Sequence, residues 1–299
     1  MAAEPSVLTF VVLGLFQGAL YGLLAIGLVL VYKGTRVFNF AQGEFGTVAA
    51  FITFVLLTEA DVPYGVAALG GLGAAVLLGL LIERLVIRPL FDASRITVLV
   101  ATVGVALFVI QVTILLGKPE GRVLPPAVGG DFVTILGAAI TPQQLMIVGV
   151  LAVMAVALAL FFSRTNLGLA VLALSQDPLA TRIVGVSPAA MSRFIWGFAA
   201  LLGGIAGILQ AGIPGNFFAP GFMTTTSLVP AFTAAVLGGM TSLPGAFLGG
   251  ILVGVAQNLG IFWLGDTGAG LPGPSELTIV AVLLAVLLIR PRGLLGKEA

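Results

Sequence analysis

Residues Phe194–Gly265 read FIWGFAALLGGIAGILQAGIPGNFFAPGFMTTTSLVPAFTAAVLGGMTSLPGAFLGGILVGVAQNLGIFWLG, 72 residues without one Asp, Glu, Lys or Arg. A soluble domain cannot hold such a stretch and stay in solution, whereas a helix needs about 20 apolar residues to cross roughly 30 Å of hydrocarbon. The run has room for about three crossings. It decides the class: an all-α, polytopic integral membrane helix bundle. Pro214-Gly215, Pro230 and Pro244-Gly245 are the expected breaks between its passages.

The rest of the chain agrees. Hydrophobic residues make up 59% of it and charged residues 8%, so most of the chain lies in lipid or against other spans. Glycine is abundant, at 41 of 299 residues. Small residues let helix backbones approach where the hydrophobic drive between helices is weak, and Gly203, Gly204 and Gly207, with Gly245, Gly249 and Gly250, suit that role. Cysteine and histidine are absent, which removes disulfides, thiol nucleophiles and the commonest metal ligand. A net charge of +1 leaves no nucleic-acid footprint. Met1-Ala2-Ala3-Glu4 has no basic region of the signal-peptide kind, so the first hydrophobic segment is expected to be retained.

Nine hydrophobic segments are read, at about 7–31, 37–58, 62–82, 96–116, 141–162, 194–213, 224–240, 245–264 and 276–289. Two are weak. Between Glu44 and Glu59 lie 14 residues, about 21 Å of helix, so this segment spans only if Val37–Glu44 also enters the membrane. Segment 224–240 opens on Thr224-Thr225-Thr226-Ser227 and carries Pro230, the pattern of a broken or re-entrant helix. The expectation is therefore eight or nine spans with one or two broken. With nine, Lys33, Arg36, Arg84, Arg88, Arg95, Arg164, Arg182, Arg193, Arg290, Arg292 and Lys297 fall on one side, and Lys118 and Arg122 on the other. The positive-inside rule then places the C-terminus in the cytoplasm and the N-terminus outside; eight spans would bring the N-terminus inside. The chain reads as one transmembrane domain, 1–299, with loop 117–131 as the largest external connection and loop 163–193 as the longest cytoplasmic one.

Val37-Phe38-Asn39-Phe40-Ala41-Gln42-Gly43-Glu44 is the most polar stretch flanked by hydrophobic sequence. On a helix Asn39 and Gln42 would share a face, and Gly43 would loosen or break it. A broken helix offers free backbone groups to a cavity, a common way to build a transport site. Phe38, Asn39, Gln42, Gly43 and Glu44 are thus the candidate translocation residues. The other reading is a cytoplasmic loop entering a helix, with Glu44 in the first turn favoured by the helix dipole; a buried Glu44 carboxylate as ligand is disfavoured by its desolvation cost. Gln17, Gln111, Gln210, Gln257 and Asn258 read as helix–helix hydrogen-bonding groups. No carboxylate–Lys/Arg constellation is read within the spans, which speaks against an ion-driven charged relay.

In the loop 163–193, Asp177-Pro178 reads as an N-cap and first helical residue, and Gly185 as the stop. Between them a short helix, Pro178–Val184, places Leu179 and Ile183 on one apolar face, with Thr181 and Arg182 supplying polar contacts. Such a helix suits docking to a cytoplasmic partner; the alternative is a helix lying on lipid headgroups. Ser187-Pro188 repeats the cap signal for the next helix.

Several stretches resemble one family in order along nearly the whole chain. Glu83-Arg84-Leu85-Val86-Ile87-Arg88-Pro89-Leu90 and Ala101-Thr102-Val103-Gly104 are similar to the E-R-x-x-x-R-P-L and A-T-x-G signatures of branched-chain amino-acid ABC transporter permeases. Val37–Glu44 resembles their N-F-A-H/Q-G-E motif, Asn166–Gly185 their cytoplasmic loop, and Ala234–Gly239 with Pro244-Gly245-Ala246 their late glycine motif. The resemblance implies an importer subunit of a bacterial cytoplasmic (inner) membrane, paired with a second, usually different permease over two ATPase subunits, and served by an extracytoplasmic solute-binding protein. No Gly-x-x-x-x-Gly-Lys-Ser/Thr occurs, so the implied ATP and Mg²⁺ belong to the partners and this chain is a transport subunit, not an enzyme. Asp177, Pro178, Leu179, Arg182, Ile183 and Gly185 become the implied ATPase-coupling residues. Urea and short amides are the rival substrates within the family. A secondary transporter or channel is the rival outside it, and would not need the capped helix.

Overall fold

The computed structural model describes residues 6–117, 119–135, 137–183, 185–265, 273–290 and 293–295. Among the described residues, six helices are long and apolar enough to cross a membrane. Five of them are α1 (Val7–Thr35), α4 (Arg95–Gly117), α5 (Pro142–Arg164), α8 (Pro188–Ala211) and α11 (Leu243–Gly265). The sixth is α3 (Tyr64–Ile82), continued through a π turn (Glu83–Ile87) and a 3₁₀ turn (Arg88–Leu90). Three shorter apolar helices complete the expected segments: α2 (Gln42–Thr58), α10 (Leu228–Gly238) and α12 (Pro274–Ile289).

Their lengths explain why the weak segments looked weak. The 29 residues of α1 extend about 44 Å, whereas the 17 of α2 extend about 26 Å and the 11 of α10 about 17 Å. Residues 36–41 are not helical, and the short helix α9 (Phe222–Thr226) is separated from α10 at Ser227. The break in this span is at Ser227 and not at Pro230. Pro230 sits in the first turn of α10, where its missing N–H has no intrahelical acceptor to lose.

Glycines set the packing. Gly14, Gly18 and Gly22 of α1 meet the backbone of Val255, Gly250 and Phe247, so α1 and α11 run antiparallel. Gly46 of α2 lies on Gly203 and Gly207 of α8, and the two helices run parallel. Gly71 on Ala49, and Gly79 on Trp196, set α3 antiparallel to both. Gly204 touches Leu72 and Ala75, Gly249 the carbonyl of Ala234, and Gly245 that of Gly238. All six glycines singled out for close packing therefore have it. A Cβ on Gly207 or Gly250 would overlap neighbouring backbone, which cannot move aside cheaply. At the centre lies α8, with 78% of its most apolar window buried, against 17% for α5 at the periphery.

Two local features were not expected. The connection between α4 and α5 carries a hairpin of β1 (Val133–Ile135) and β2 (Ala138–Ile140). The loop between α5 and α8 contains α6 (Asn166–Gln176), capped by the Thr165 hydroxyl accepting from Gly168 N at 3.0 Å, before the short helix α7 (Pro178–Ile183). A charged pair also exists where none was read. Glu83 is fully buried, and Arg88 Nη2 donates to its Oε2 at 3.2 Å across the π turn. The pair sits at the end of a span, and it gives the E-R-x-x-x-R-P-L stretch a structural role.

Gly207→Val should lower the thermal midpoint of the detergent-solubilised protein by an amount equivalent to about 1–3 kcal/mol or more. Gly73→Val, at an exposed position with nothing within 4 Å of a Cβ, should leave it unchanged. Equal midpoints for the two variants would contradict this packing.

Candidate translocation site

The chain reverses after α1 through Arg36, in the left-handed region at φ 56°, whose N–H bonds Tyr32 O at 2.7 Å. It then re-enters the bundle without helical hydrogen bonding, so side chains must satisfy its backbone. Asn39 lies before α2 and not on it. Its Oδ1 accepts from Ala41 N at 3.0 Å, a local turn that presents Nδ2 to Gln42 Oε1 at 3.2 Å. Gln42 then donates Nε2 to Ala199 O of α8 at 2.9 Å. Thr102 supports the same segment from α4: its hydroxyl accepts from Phe40 N at 3.2 Å and lies 3.2 Å from Phe38 O. Two of the sequence motifs, Val37–Glu44 and Ala101–Gly104, thus meet at this point.

Asn39 and Gln42 are 1% and 0% exposed, so in this conformation their amides are bound to protein. Phe38 is half-buried, stacked on Tyr32 at 5.0 Å and edge-on to Phe232 of α10 at 5.2 Å. Gly43 does not break a helix. It lies in the first turn of α2, where a Cβ would stand 2.5 Å from Thr224 Oγ1 and 2.7 Å from Thr224 N. Its role is to let α9 come close.

That approach brings Thr224 Oγ1 to Glu44 Oε1 at 2.5 Å, while Met223 N donates to Thr47 Oγ1 at 3.4 Å. Glu44 is fully buried, against the expectation from its desolvation cost, and Oε2 has no protein partner. Two features offset that cost: the bond from Thr224, and a place in the first turn of α2, where the helix dipole favours a carboxylate. At the Ser227 break itself, Ser227 Oγ donates to Gln210 Oε1 at 2.9 Å and Gln210 Nε2 to Thr226 Oγ1 at 3.4 Å. α8 therefore holds both interrupted spans, through Ala199 O at one and Gln210 at the other.

Thr47, Thr102 and Thr224 were missed as site residues. Thr102 stands in the Ala101–Gly104 motif and Thr224 in the polar run Thr224–Ser227, but neither signal names its partner. Gln210 and Gln257 act between helices as expected, the latter on Ser275. Among the described residues no group of three or more His, Cys, Asp and Glu could hold a metal ion.

The second candidate region is α7. Asp177 Oδ1 accepts from Ala180 N at 3.0 Å, and Gly185, at φ +88°, follows the helix end. Thr181 turns inward, 3% exposed, and its hydroxyl bonds Asp177 O at 2.6 Å. Ile183 points outward, 79% exposed, and α7 packs on α6. The side chains of Pro178, Leu179 and Arg182, and residue Val184, lie outside the described residues. Ser187 then caps α8, its hydroxyl accepting from Ala190 N at 3.4 Å.

Comparison with known proteins agrees with this architecture. The family model described as "Branched-chain amino acid transport system / permease component" matches residues 10–290. The high-affinity branched-chain amino acid transport system permease protein BraD of Pseudomonas aeruginosa is 32% identical, with 95% of this chain and 94% of that protein covered. The corresponding LivH of Escherichia coli K12 is 29% identical over the same shares, and the probable branched-chain amino acid transport permease LivH of Methanocaldococcus jannaschii is 28% identical over 92% and 88%. Among solved structures, PsaBC from Streptococcus pneumoniae in complex with Fab shares the fold, with a TM-score of 0.51 at 16% identity over 95% of this chain and 92% of that one. With a family model spanning nearly its whole length and a relative above 30% identity, the chain belongs to the family of branched-chain amino acid transport system permease components.

Proposed function

We propose that this chain is the membrane-spanning permease subunit of an ATP-driven importer for branched-chain amino acids, and that the meeting of α2 with α9 is its translocation gate. The single observation that carries the gate is the contact of two interrupted spans inside the bundle, closed by Thr224 on Glu44. Interrupted helices are the usual means by which a membrane protein builds a solute path, because their ends offer unsatisfied backbone groups to a polar solute. The substrate class rests on the names of the relatives.

The coupling follows from connectivity. ATPase subunits on the basic, cytoplasmic side grip α7. Its movement passes through the Ser187 cap into α8, a largely buried helix. α8 bonds Gln42 through Ala199 O and Ser227 through Gln210, so a shift of α8 acts on both sides of the gate together. Opening exposes Asn39, Gln42 and Glu44, with Phe38 beside them, to a zwitterionic solute. The basic end is cytoplasmic by the positive-inside rule, which places the C-terminus inside. The whole chain works as one permease domain. A second permease, two ATPases carrying ATP and Mg²⁺, and an extracytoplasmic binding protein complete the assembly.

The assembled transporter in proteoliposomes, supplied with its binding protein, should take up leucine only with ATP. Preference for urea under the same conditions would overturn the substrate assignment. Asn39→Leu and Gln42→Leu each strand a buried partner, worth about 1–3 kcal/mol, and should cut uptake at least tenfold while the subunits still co-purify; normal uptake in both would remove these residues from the path. Leu179→Asp or Ile183→Asp should release the ATPase without loss of membrane insertion, read by pull-down from solubilised membranes. Retained ATPase in both would show that α7 is not the docking element.

A further inference from the structure

A cleft of about 1110 Å³ opens at the basic end of the bundle, between α5 and the paired helices α1 and α11. Its walls change character with depth. Ile26, Leu158 and Phe247 line the inner part, about one to two helical turns in from the mouth, where Lys33, Arg36 and Gln176 stand. A second chamber of about 260 Å³ adjoins it along the outer face of α11, lined only by apolar side chains and Gly245, and shares Leu248 and Leu295 with the first. The cleft exists because α5 stands away from the core, the least buried of the long spans.

An apolar gap of this size at membrane depth does not stay empty, because its walls would forgo dispersion contacts on one side, and it does not favour water. Hydrocarbon chains fill it. The mouth has a different demand: Lys33 gives one of its donors to Thr241 O at 3.0 Å, and a carbonyl does not neutralise an ammonium. The occupant is therefore apolar for most of its length and anionic at one end.

We propose that the cleft between α1, α5 and α11 is a binding site for an anionic phospholipid. The phosphate sits at Lys33 and Arg36, one acyl chain runs inward along Ile26, Leu158 and Phe247, and the other follows Leu248 to Leu252 on α11. Basic recesses between membrane helices bind anionic head groups in this way. The bound lipid would wedge α5 against α1.

The test is native mass spectrometry of the assembled transporter, extracted from vesicles of equal parts phosphatidylcholine and phosphatidylglycerol. Wild type should retain phosphatidylglycerol over phosphatidylcholine, and Lys33→Gln with Arg36→Gln should reduce that retention about tenfold or more. Ala159→Trp, at an exposed position on the cleft wall, should reduce it with the charges intact, and it decides the matter if the double variant does not assemble. Equal retention of the two lipids by wild type, or unchanged retention in the variants, would overturn the proposal. So would a Leu248→Cys variant that cross-links to a second protein chain rather than to a thiol-reactive lipid.

Discussion

In hydrocarbon every backbone N–H and C=O must find a partner within the protein, and this bundle interrupts its helices twice in places where the helix cannot supply one. Residues 36–41, and the residues on either side of the short helix α9 in the stretch from Gly212 to Ser227, leave the helical ladder behind. Their position is fixed by what satisfies them. Asn39 and Thr102 of α4 serve the backbone of the first, and Gln42 ties it to Ala199 O of α8. In the second, Thr47 accepts from Met223 N, and Gln210 of α8 and Glu44 hold the hydroxyls of Ser227 and Thr224. The glycine contacts between helices are what allow these short polar side chains to reach across.

The same constraint is why the proposed gate is placed in this region. A straight span packed by glycines has one low-energy arrangement. Two half-spans held by a small set of side-chain hydrogen bonds can exchange those bonds for others, including bonds to a solute. Glu44 is the sharpest instance, with one oxygen bonded to Thr224 and the other without a protein partner. A buried carboxylate in that state is costly to keep, and the proposed opening would relieve that cost.

Much of the fold was legible because it rests on local signals. Length and composition located the spans, the Asp177-Pro178 and Ser187-Pro188 caps located the helix starts in the cytoplasmic loop, and the glycine clusters located close contacts. The weakness of segments 37–58 and 224–240 correctly marked the interrupted spans. What could not be read was pairing at a distance. Glu44 and Thr224 are 180 residues apart, and Phe40 and Thr102 are 62 apart. Gly43 was misread for the same reason: its conformational freedom is a local property, but its use here is room for Thr224. Helix α6 was legible too, in the Thr165 cap and the apolar run Leu167–Leu174, but the strong Asp177-Pro178 cap drew the reading to the shorter helix after it.

The absence of native cysteine offers a clean route to the gate. A disulfide between Thr47→Cys and Met223→Cys, residues in contact where α2 faces α9, would tie the two half-spans together. ATP-driven leucine uptake by the reconstituted transporter should stop when the pair is oxidised and return when it is reduced. Full uptake with the disulfide intact would show that solute passes elsewhere.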